Sequence, residues 1–260
     1  MNPVAFYVFG IGIRWYGILI TMGIILGILI SKKSSEYKDV NYEELLNIVL
    51  ISLPIGIIGA RIYYVAFNFS IYENNLIDII NIRHGGLAIH GGIIFGLIAA
   101  YIYCRVRNLK TLDYLDVAAP SIVLGQSIGR WGNFFNSEAH GGVVSYDFIK
   151  VFPEFIQNGM KISDVYYHPT FLYESVWDFV VFIIIFLLLK RNRNNQSSKG
   201  LIILTYVGLY SIGRFFIEGL RTDSLYFGNF RIAQIQSIVG IGIWIIYLFI
   251  NHKKKEVRYY

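Results

Sequence analysis

A cation, two carboxamides and a carboxylate occur close together at the end of an apolar run. Residues 129–138 read Gly-Arg-Trp-Gly-Asn-Phe-Phe-Asn-Ser-Glu, which places Arg130, Asn133, Asn136 and Glu138 within one short segment. Inserting an ionisable side chain at bilayer depth costs roughly 2.5 to 3.5 kcal/mol on insertion scales. Because the chain keeps such a cluster in mostly hydrophobic surroundings, we expect the cluster to serve a ligand or catalysis.

A second group of polar side chains repeats at helical spacing nearer the C-terminus. Tyr210, Arg214, Glu218 and Arg221 are separated by four, four and three residues. They fall within an arc of about 80 degrees on one helix face. The alternative is an ion pair between Arg214 and Glu218 that only helps the helix to insert. That pair would leave Arg221 available for an anion.

The arginines of the two groups favour phosphate as the ligand. Guanidinium groups stay charged and grip oxyanions in bidentate fashion, which an ammonium group does less well. Arg130 and Arg214 together could therefore form a phosphate clamp. For Arg130 alone, the alternative is a structural ion pair between helices, with Glu138 or Asp116 as its partner.

Two histidines lie at or next to the ends of predicted membrane-spanning helices. His90 lies in the apolar stretch 86–92 between glycines, where a satisfied core histidine is the common alternative to a functional one. An imidazole in that place could remove a proton near neutral pH. His168 precedes Pro169 and Thr170, and this triplet is predicted to cap the helix that follows.

The elements that position these side chains are predicted to be membrane-spanning helices. The 260-residue chain is 55% hydrophobic and 15% charged, against about 25% charged residues in a typical soluble domain. Apolar stretches close to the ~17 to 25 residues of a spanning helix cover 15–30, 45–67, 86–103, 114–129, 171–189, 201–217 and 232–250. The fourth stretch is the weakest, because Asp113, Asp116 and Pro120 interrupt its start. Six spans are the fallback.

The basic residues predict the orientation of these helices. They cluster in alternate connections, which places them on the inner side of the membrane. The clusters are Lys32, Lys33 and Lys38; Arg105, Arg107 and Lys110; Lys190, Arg191, Arg193 and Lys199; and Lys253, Lys254, Lys255 and Arg258. The net charge of +6 is interpreted as this topology signal, so no nucleic-acid partner is expected.

The predicted fold is an all-α integral membrane protein with about seven transmembrane helices. The N-terminus is expected outside and the C-terminus inside. Residues 137–170 are too polar to span the membrane but contain several aromatic side chains, so they are predicted to form a small extracytoplasmic cap. No internal repeat is apparent, and residues 1–260 are predicted to form a single transmembrane catalytic domain.

Several common chemistries have no motif in this chain. There is no His-Glu-x-x-His and no Walker loop. Cys104 is the only cysteine, which excludes an internal disulfide and a Cys-rich metal site. A structural thiol is the expected role for Cys104.

With these residues assembled, the chain resembles the bacterial phosphatidylglycerol:prolipoprotein diacylglyceryl transferases along its whole length. The segment 129–142 is similar to the family signature, with Arg130, Asn133, Asn136, Glu138 and Gly141 at its characteristic positions. Further matching segments follow in family order: Arg-Trp-Tyr-Gly at 14–17, Gly-Ala-Arg at 59–61, the segment around His90, His-Pro-Thr-Phe-Leu-Tyr-Glu at 168–174 and the stripe 210–221. Small departures occur at Arg83-His84 and Ser137.

The resemblance implies a specific reaction in the bacterial cytoplasmic membrane. The diacylglyceryl group of phosphatidylglycerol moves to the thiol of a lipobox cysteine in a preprolipoprotein, forming a thioether and releasing glycerol phosphate. Membrane lipids then surround the protein, and one of them, phosphatidylglycerol, donates the diacylglyceryl group. No cofactor and no metal are expected, because the lipid itself supplies the transferred group. The rival class is a lipid or peptide carrier that binds the same head group without chemistry.

The resemblance also implies roles for the residues already picked out. Arg130 and Arg214 would bind the phosphate and steady its developing charge, and His90 would take the thiol proton. Other residues are expected to bind substrate or to hold these groups. The head group is oriented by Tyr16, Asn133 and Tyr210, and the arginines are held by Glu138 and Glu218. Weaker candidates for lipid contact are Arg61 and Arg221, and the signature also contains Asn136 and Gly141. A lipobox thiol with a pKa near about 8.5 is already partly ionised, so the base role of His90 stays open.

Overall fold

The computed structural model describes residues 2–73, 75–82, 85–193 and 199–256, with only the backbone described for residues 252–256. Arg83, His84 and the basic side chains from Lys253 onward lie outside the described residues. The long helices are α1 (Trp15–Lys38), α2 (Tyr42–Phe67), α3 (Ile89–Val106), α4 (Thr111–Asn136), α7 (Thr170–Arg191), α8 (Leu201–Glu218) and α9 (Ile232–Glu256). Two short helices are α5 (Tyr146–Ile149) and α6 (Glu154–Gly159).

Each predicted apolar stretch lies within or largely within one long helix. Six helices of the described residues, namely α1, α2, α3, α7, α8 and α9, are long and apolar enough to cross a membrane. The fourth stretch forms α4, a helix of 26 residues, but α4 is not among those six. The protein is therefore a mostly helical, multi-pass membrane protein.

Several helices continue beyond the apolar run that predicted them. The stretch 15–30 becomes α1, which reaches Lys38. The last turns of α1 bury small polar residues, and the Ser35 hydroxyl donates to the Ser31 carbonyl at 2.8 Å. Asp39 ends the helix in the left-handed region with φ 53°, a conformation that Asp tolerates better than most residues.

Short antiparallel strands are the main difference from the all-α prediction. Strands β1 (Val4–Val8) and β2 (Ile11–Arg14) form an N-terminal hairpin, and β6 (Tyr226–Phe227) and β7 (Phe230–Arg231) form a hairpin between α8 and α9. Strands β3 (Val143–Val144), β4 (Lys161–Ile162) and β5 (Val165–Tyr167) form a sheet in the order β3-β5-β4. These strands are too short to leave an alternating pattern in the sequence.

The chain divides into two compact units, and each is described by itself. One unit contains Met1–Asp39 and Leu115–Tyr260, and the other contains Val40–Tyr114. In the larger unit, side chains of α1, α4, α7 and α8 form an apolar core that includes Tyr37, Ala119, Val123, Val181, Ile185, Leu189 and Ile202. Contacts of this core fix the helices that carry the polar side chains.

The segment between α4 and α7 folds as a compact cap within the larger unit. It contains α5, α6 and the three-stranded sheet. Its apolar core joins Ile149, Ile156 and Met160 of the cap to Phe134 of α4 and Phe171 of α7. The cap is thus anchored on the helix ends that carry the signature segment and the 168–174 motif.

Buried polar contacts join the C-terminal end of α1 to the N-terminal ends of α4 and α8. The Asp116 carboxylate of α4 accepts hydrogen bonds from the backbone N–H groups of Gly200, Ile202 and Ile203, at 2.9 to 3.0 Å. It also lies 3.0 Å from the Lys38 ammonium, and both side chains are almost fully buried. Asp116 therefore caps the start of α8 from a different helix.

The smaller unit is a close-packed pair of helices, α2 and α3. Gly59 and Gly91 allow the close approach, since a Cβ at Gly59 would overlap the Phe95 ring and one at Gly91 would overlap the Gly59 carbonyl. At the other end of the pair, the Tyr103 hydroxyl donates to the Glu44 carboxylate at 2.6 Å. The connection from α2 to α3 includes two short 3-10 helices, Phe69–Ile71 and Leu76–Ile79.

Candidate functional site

A buried carboxylate stands at the centre of the polar cluster in the larger unit. Glu174, on the first turns of α7, has a side chain only 6% exposed. Its Oε2 lies 2.7 Å from Nε of Arg130 on α4, and its Oε1 accepts a hydrogen bond from Nη1 of Arg214 on α8. Three helices thus bring two guanidinium groups together on one carboxylate.

A second carboxylate and a third arginine extend this cluster. Glu218 Oε2 lies 2.6 Å from Nη2 of Arg214, and Arg221 Nη1 lies 3.6 Å from Glu174 Oε1. Of the stripe predicted on one helix face, Arg214 and Glu218 lie on α8 and point into the cluster. Arg221 also reaches the cluster, but the helix prediction for it is wrong, because α8 ends at Glu218. The Arg214–Glu218 ion pair offered as the simple alternative is present, but it is one contact within a larger network. In this pair the two charged groups are in contact, but they are not aligned as a hydrogen bond.

Arg221 lies just beyond α8 and is held by a second partner, Asp223. Its Nε and Nη2 donate to the two carboxylate oxygens at 2.9 and 2.8 Å. This bidentate contact with the guanidinium lowers the pKa of Asp223. Burial works against the charge on Arg221, but the bond to Asp223 and the charge of Glu174 outweigh it and raise the arginine pKa. Both groups are charged at neutral pH.

Two tyrosines predicted to orient a head group lie beside the arginines or the signature segment. The Tyr210 hydroxyl accepts a hydrogen bond from Arg130 Nη2 at 3.4 Å. The Tyr16 ring packs on Gly132, where a Cβ atom would overlap the ring. Gly132 is therefore needed for the close approach of α1 to α4 at this point, which explains a glycine between Arg130 and Asn133.

The carboxylate at the end of the signature segment has partners other than those predicted. Glu138 Oε1 accepts hydrogen bonds from the side-chain amides of Asn133 and Asn136, both at 3.2 Å. Among the described residues, no arginine forms an ion pair with Glu138, whereas Glu174 contacts Arg130 directly. The prediction that Glu138 holds the arginines is corrected accordingly: Glu138 orders the end of α4.

Gly141 joins the cap to the segment that follows α8. Its N–H donates to the His168 carbonyl at 3.0 Å, and it pairs with Arg221 in an antiparallel bridge. A Cβ at Gly141 would lie 2.6 Å from the His168 Cβ and 2.9 Å from the Leu220 carbonyl. The close approach that glycine permits thus fixes Arg221 near the signature segment.

The His168-Pro169-Thr170 triplet does not cap α7 with a side chain, so that prediction is wrong. Pro169 occupies the N-cap position without a side-chain hydrogen bond. The Thr170 hydroxyl donates to the Ala139 carbonyl at 2.6 Å, and a His168 ring nitrogen lies 3.3 Å from the Tyr173 hydroxyl. Burial lowers the pKa of His168 below its usual value, which favours the neutral ring.

Glu174 is the residue at the centre of the cluster for which the sequence predicted no role. It belongs to the 168–174 motif, and an acidic residue in the first turns of an apolar stretch was a usable signal. What the sequence does not show is that α4, α7 and α8 bring this residue between Arg130 and Arg214. Glu138 belongs to the same short segment as Arg130, and this proximity along the chain favours Glu138 as the predicted partner.

The smaller unit contains the two remaining predicted site residues. His90 lies on the first turn of α3 and is exposed, with its ring centroid 6.2 Å from that of Tyr63. The alternative of a buried core histidine is therefore wrong. A base role for His90 stays a prediction.

Arg61 is an internal anchor rather than a lipid contact. All five of its N–H donors are used by backbone carbonyls of the α2–α3 connection, namely those of Asp78, Ile79, Asn81, Gly85 and Gly86, at 2.6 to 3.2 Å. The side chain is buried and lies over the rings of Tyr64 and Tyr72. The predicted lipid contact is corrected, because no donor is left for a head group.

Among the residues that the structure describes, no group of three His, Cys, Asp or Glu side chains could hold a metal ion. Cys104 is buried, and in this helical position burial is the property of a packing residue. The side chains that form the cluster in the larger unit are arginines, carboxylates, a tyrosine and amides. Such an arrangement can bind an anionic oxygen ligand and stabilise charge that develops on it.

Comparison with known proteins agrees with this chemistry. The family model described as "Prolipoprotein diacylglyceryl transferase" matches residues 3–250. A protein of Clostridium botulinum strain Langeland, named phosphatidylglycerol–prolipoprotein diacylglyceryl transferase, is 57% identical over 259 residues and covers 100% of both chains. The protein of the same name from Clostridium kluyveri strain NBRC 12016 is 54% identical over 258 residues, covering 99% of this chain and 100% of its own.

Proposed function

This chain belongs to the prolipoprotein diacylglyceryl transferase family, and from that premise we propose that it transfers diacylglycerol to protein. The donor is phosphatidylglycerol, and the acceptor is the lipobox cysteine thiol of a preprolipoprotein. The products are a thioether-linked lipid and glycerol phosphate, as in the first step of lipoprotein maturation. The observation that carries this proposal is the set of three arginines around Glu174 in a membrane-spanning bundle.

The reaction makes a definite demand on that cluster. A carbon–sulfur bond forms at the glyceryl carbon that bears the phosphate, and the carbon–oxygen bond to the phosphate breaks. The thiol gives up its proton, and the phosphate oxygen leaves with the bonding electrons. Arg130 and Arg214 stabilise the charge that grows on the departing phosphate, which is usually the largest single catalytic contribution.

The neighbouring side chains hold the two arginines in place. Glu174 fixes both guanidinium groups, and Glu218 fixes Arg214 from the same helix. Arg221 adds positive charge next to them. Because these groups are held before the lipid arrives, little reorganisation is needed at the moment of reaction.

Residues around the cluster complete the substrate site. Tyr16, Asn133 and Tyr210 orient the lipid head group. Asn136, Glu138 and Gly141 shape the end of α4 and its junction with the cap. The cap borders this end of the bundle, so the lipobox peptide meets the lipid there.

His90 is the proposed acceptor of the thiol proton. It is exposed on the first turn of α3, and an imidazole accepts protons readily near neutral pH. The competing route needs no base, because a thiol with a pKa near about 8.5 is partly ionised at neutral pH. The two routes differ in what a substitution at His90 does to the pH profile.

The proposal includes a location and a topology. The protein resides in the bacterial cytoplasmic membrane with seven spans, α4 being the seventh, and forms a single catalytic domain with an extracytoplasmic cap. The N-terminus is outside and the C-terminus inside, as the alternate basic connections indicate. Its partners are phosphatidylglycerol, lipobox peptides and the surrounding membrane lipids. It needs no nucleic acid and no cofactor.

The test is a transfer assay with purified protein, phosphatidylglycerol and a lipobox peptide that carries one cysteine. Mass spectrometry of the peptide detects the diacylglyceryl thioether. We expect product with the wild type and a loss of about 10²-fold or more in kcat for Arg130→Ala and Arg214→Ala. Arg107→Ala is the matched control, since Arg107 is an exposed arginine with one carboxylate partner, Glu44.

Two results would contradict these assignments. Lipid binding without any thioether product would replace the transferase by a carrier. Full activity of both arginine variants would remove the phosphate clamp. For His90→Gln, we expect a lower rate that recovers as the pH rises and the thiol ionises by itself. An unchanged rate at every pH would leave His90 without a base role.

A further inference from the structure

A buried carboxylate of α7 has no part in the clamp described above. Asp178 lies four residues after Glu174, one helical turn further from the cap on the same face of α7. Asp178 is only 1% exposed. Its Oδ2 atom is buried and has no hydrogen-bond partner.

Charged and titratable groups from three helices surround Asp178. Arg130 of α4 and Arg214 of α8 act on it electrostatically, as does Glu174 of its own helix. Tyr206 and Tyr210 of α8 also interact with its charge. Asp178 therefore lies close enough to the arginine cluster to interact with its charges.

Several of the nearby donors have other partners. Arg130 Nε and Arg214 Nη1 contact Glu174. The Tyr206 hydroxyl donates to the Gln126 side-chain oxygen at 2.7 Å. The protein thus surrounds Asp178 with polar groups and yet supplies its Oδ2 with no donor.

An oxygen in that state is costly. A buried polar atom without a hydrogen bond is rare in folded proteins, and each one calls for an explanation. Inside a membrane-spanning bundle the cost is larger, because no bulk water is present to replace the missing partner. A donor that arrives with the substrate would remove that cost.

We propose that Asp178 is the hydroxyl-binding subsite for the glycerol of the lipid head group. The proposal rests on the transferase function above, with the phosphate held by Arg130 and Arg214 at the level of Glu174. Four residues separate Glu174 from Asp178, a rise of about 6 Å along α7, and the glycerol beyond the phosphate spans a comparable distance. Its hydroxyl groups are the donors that Oδ2 lacks.

A hydroxyl subsite has a direct consequence for lipid choice. A site built to hydrogen-bond a substrate hydroxyl rejects an analogue without that hydroxyl, because a buried polar group is then left unpaired. Phosphatidylpropanol is the matched analogue: it has the same phosphate charge and the same three carbons as phosphatidylglycerol, without the hydroxyl groups. The two lipids isolate the contribution of the hydroxyls from that of the phosphate.

The experiment measures kcat/KM for both lipids with the lipobox peptide. We expect the wild type to prefer phosphatidylglycerol by at least about ten-fold. In Asp178→Leu, of similar size and without polar atoms, the preference should fall to nearly one. Asp178→Asn keeps one acceptor oxygen, so it should retain part of the preference, and it serves if the leucine variant does not fold. Asp164→Asn, in an exposed ion pair of the cap, should keep the full preference.

Three outcomes would overturn the subsite. The first is a wild-type preference near one, which needs no variant. The second is a preference that Asp178→Leu leaves unchanged. The third is an equal loss for both lipids, which marks Asp178 as a counter-ion that positions Arg130. If the wild type forms no thioether at all, the transferase proposal fails instead, and binding of the two lipids to the protein in nanodiscs still decides the subsite.

Discussion

At the scale of single residues, the site depends on one carboxylate shared by several arginines. Three guanidinium groups this close would repel one another in a medium of low polarity. Glu174 offsets that repulsion through its contacts with Arg130, Arg214 and Arg221. Its position on α7, opposite α4 and α8, makes it the contact that keeps the clamp assembled.

We therefore expect Glu174→Gln to damage both activity and stability. Breaking a buried ion pair on one side typically costs about 3 to 5 kcal/mol in free energy of unfolding. The transfer rate should fall by at least about ten-fold, because Arg130 and Arg214 lose the oxygen atoms that position them. Transfer assays and thermal unfolding in detergent measure the two effects. Glu154→Gln, on the first turn of α6 and exposed, is the control, and equal behaviour of the two variants would contradict this role.

Residue types alone predicted some of this site and missed the rest. Arg130 and Arg214 were found because a charge in an apolar stretch is costly and therefore conspicuous. Glu174 was missed because its partners come from α4 and α8, which the chain order does not place beside it. Arg61 was misread because its guanidinium direction depends on how the α2–α3 connection wraps around it.

At the scale of elements, α8 begins without a cap of its own. Its N-cap residue is Gly200, in the left-handed region with φ 78° and without a side chain to accept a bond. Asp116 of α4 supplies the acceptor by binding three N–H groups at the start of α8. The aspartate that made the fourth apolar stretch look interrupted is therefore the residue that ties α4 to α8 and α1.

We expect Asp116→Asn to destabilise the protein strongly while leaving the substrate site chemically intact. The Lys38 ammonium would lose its buried counter-charge, at a cost of about 3 to 5 kcal/mol, which corresponds to a fall in Tm of roughly 10 °C. Thermal unfolding in detergent checks this value. Asp147→Asn removes an exposed ion pair with Lys150 and should change stability by no more than about 1 kcal/mol. Similar Tm shifts for both variants would refute the cap.

The hydrophobic runs of the sequence predicted the positions of the long helices. The structure of the polar segments between them was predicted less completely. The apolar stretches appear as α1, α2, α3, α4, α7, α8 and α9 because a run of that length has one stable form in lipid. The ends were set too short where small polar residues continue the helix, as at Ser35 in α1. The hairpins were missed because a pair such as β6 and β7 depends on the turn at Gly228, with φ 60°.

At the scale of the whole molecule, the number of spans depends on α4. If α4 crosses the membrane, the connection before it and the cap after it lie on opposite sides. In a chain with Cys104 replaced by Ala, we expect Tyr146→Cys in the cap to react with a membrane-impermeant maleimide on intact cells. Lys110→Cys, before α4, should react only after permeabilisation. Both native side chains are exposed, and labelling of both or neither from outside would show that α4 does not cross.

The α2–α3 connection has a property that its position would not lead one to expect. Loops between helices ordinarily tolerate gains and losses of residues through evolution. Here the Arg61 guanidinium donates hydrogen bonds to the backbone carbonyls of Asp78, Ile79, Asn81, Gly85 and Gly86. Each of those carbonyls must therefore keep its position relative to one side chain of α2. A single residue inserted between Asp78 and Asn81 would carry several carbonyls out of reach at once. We therefore expect this connection to tolerate insertions and deletions as poorly as a buried core segment does.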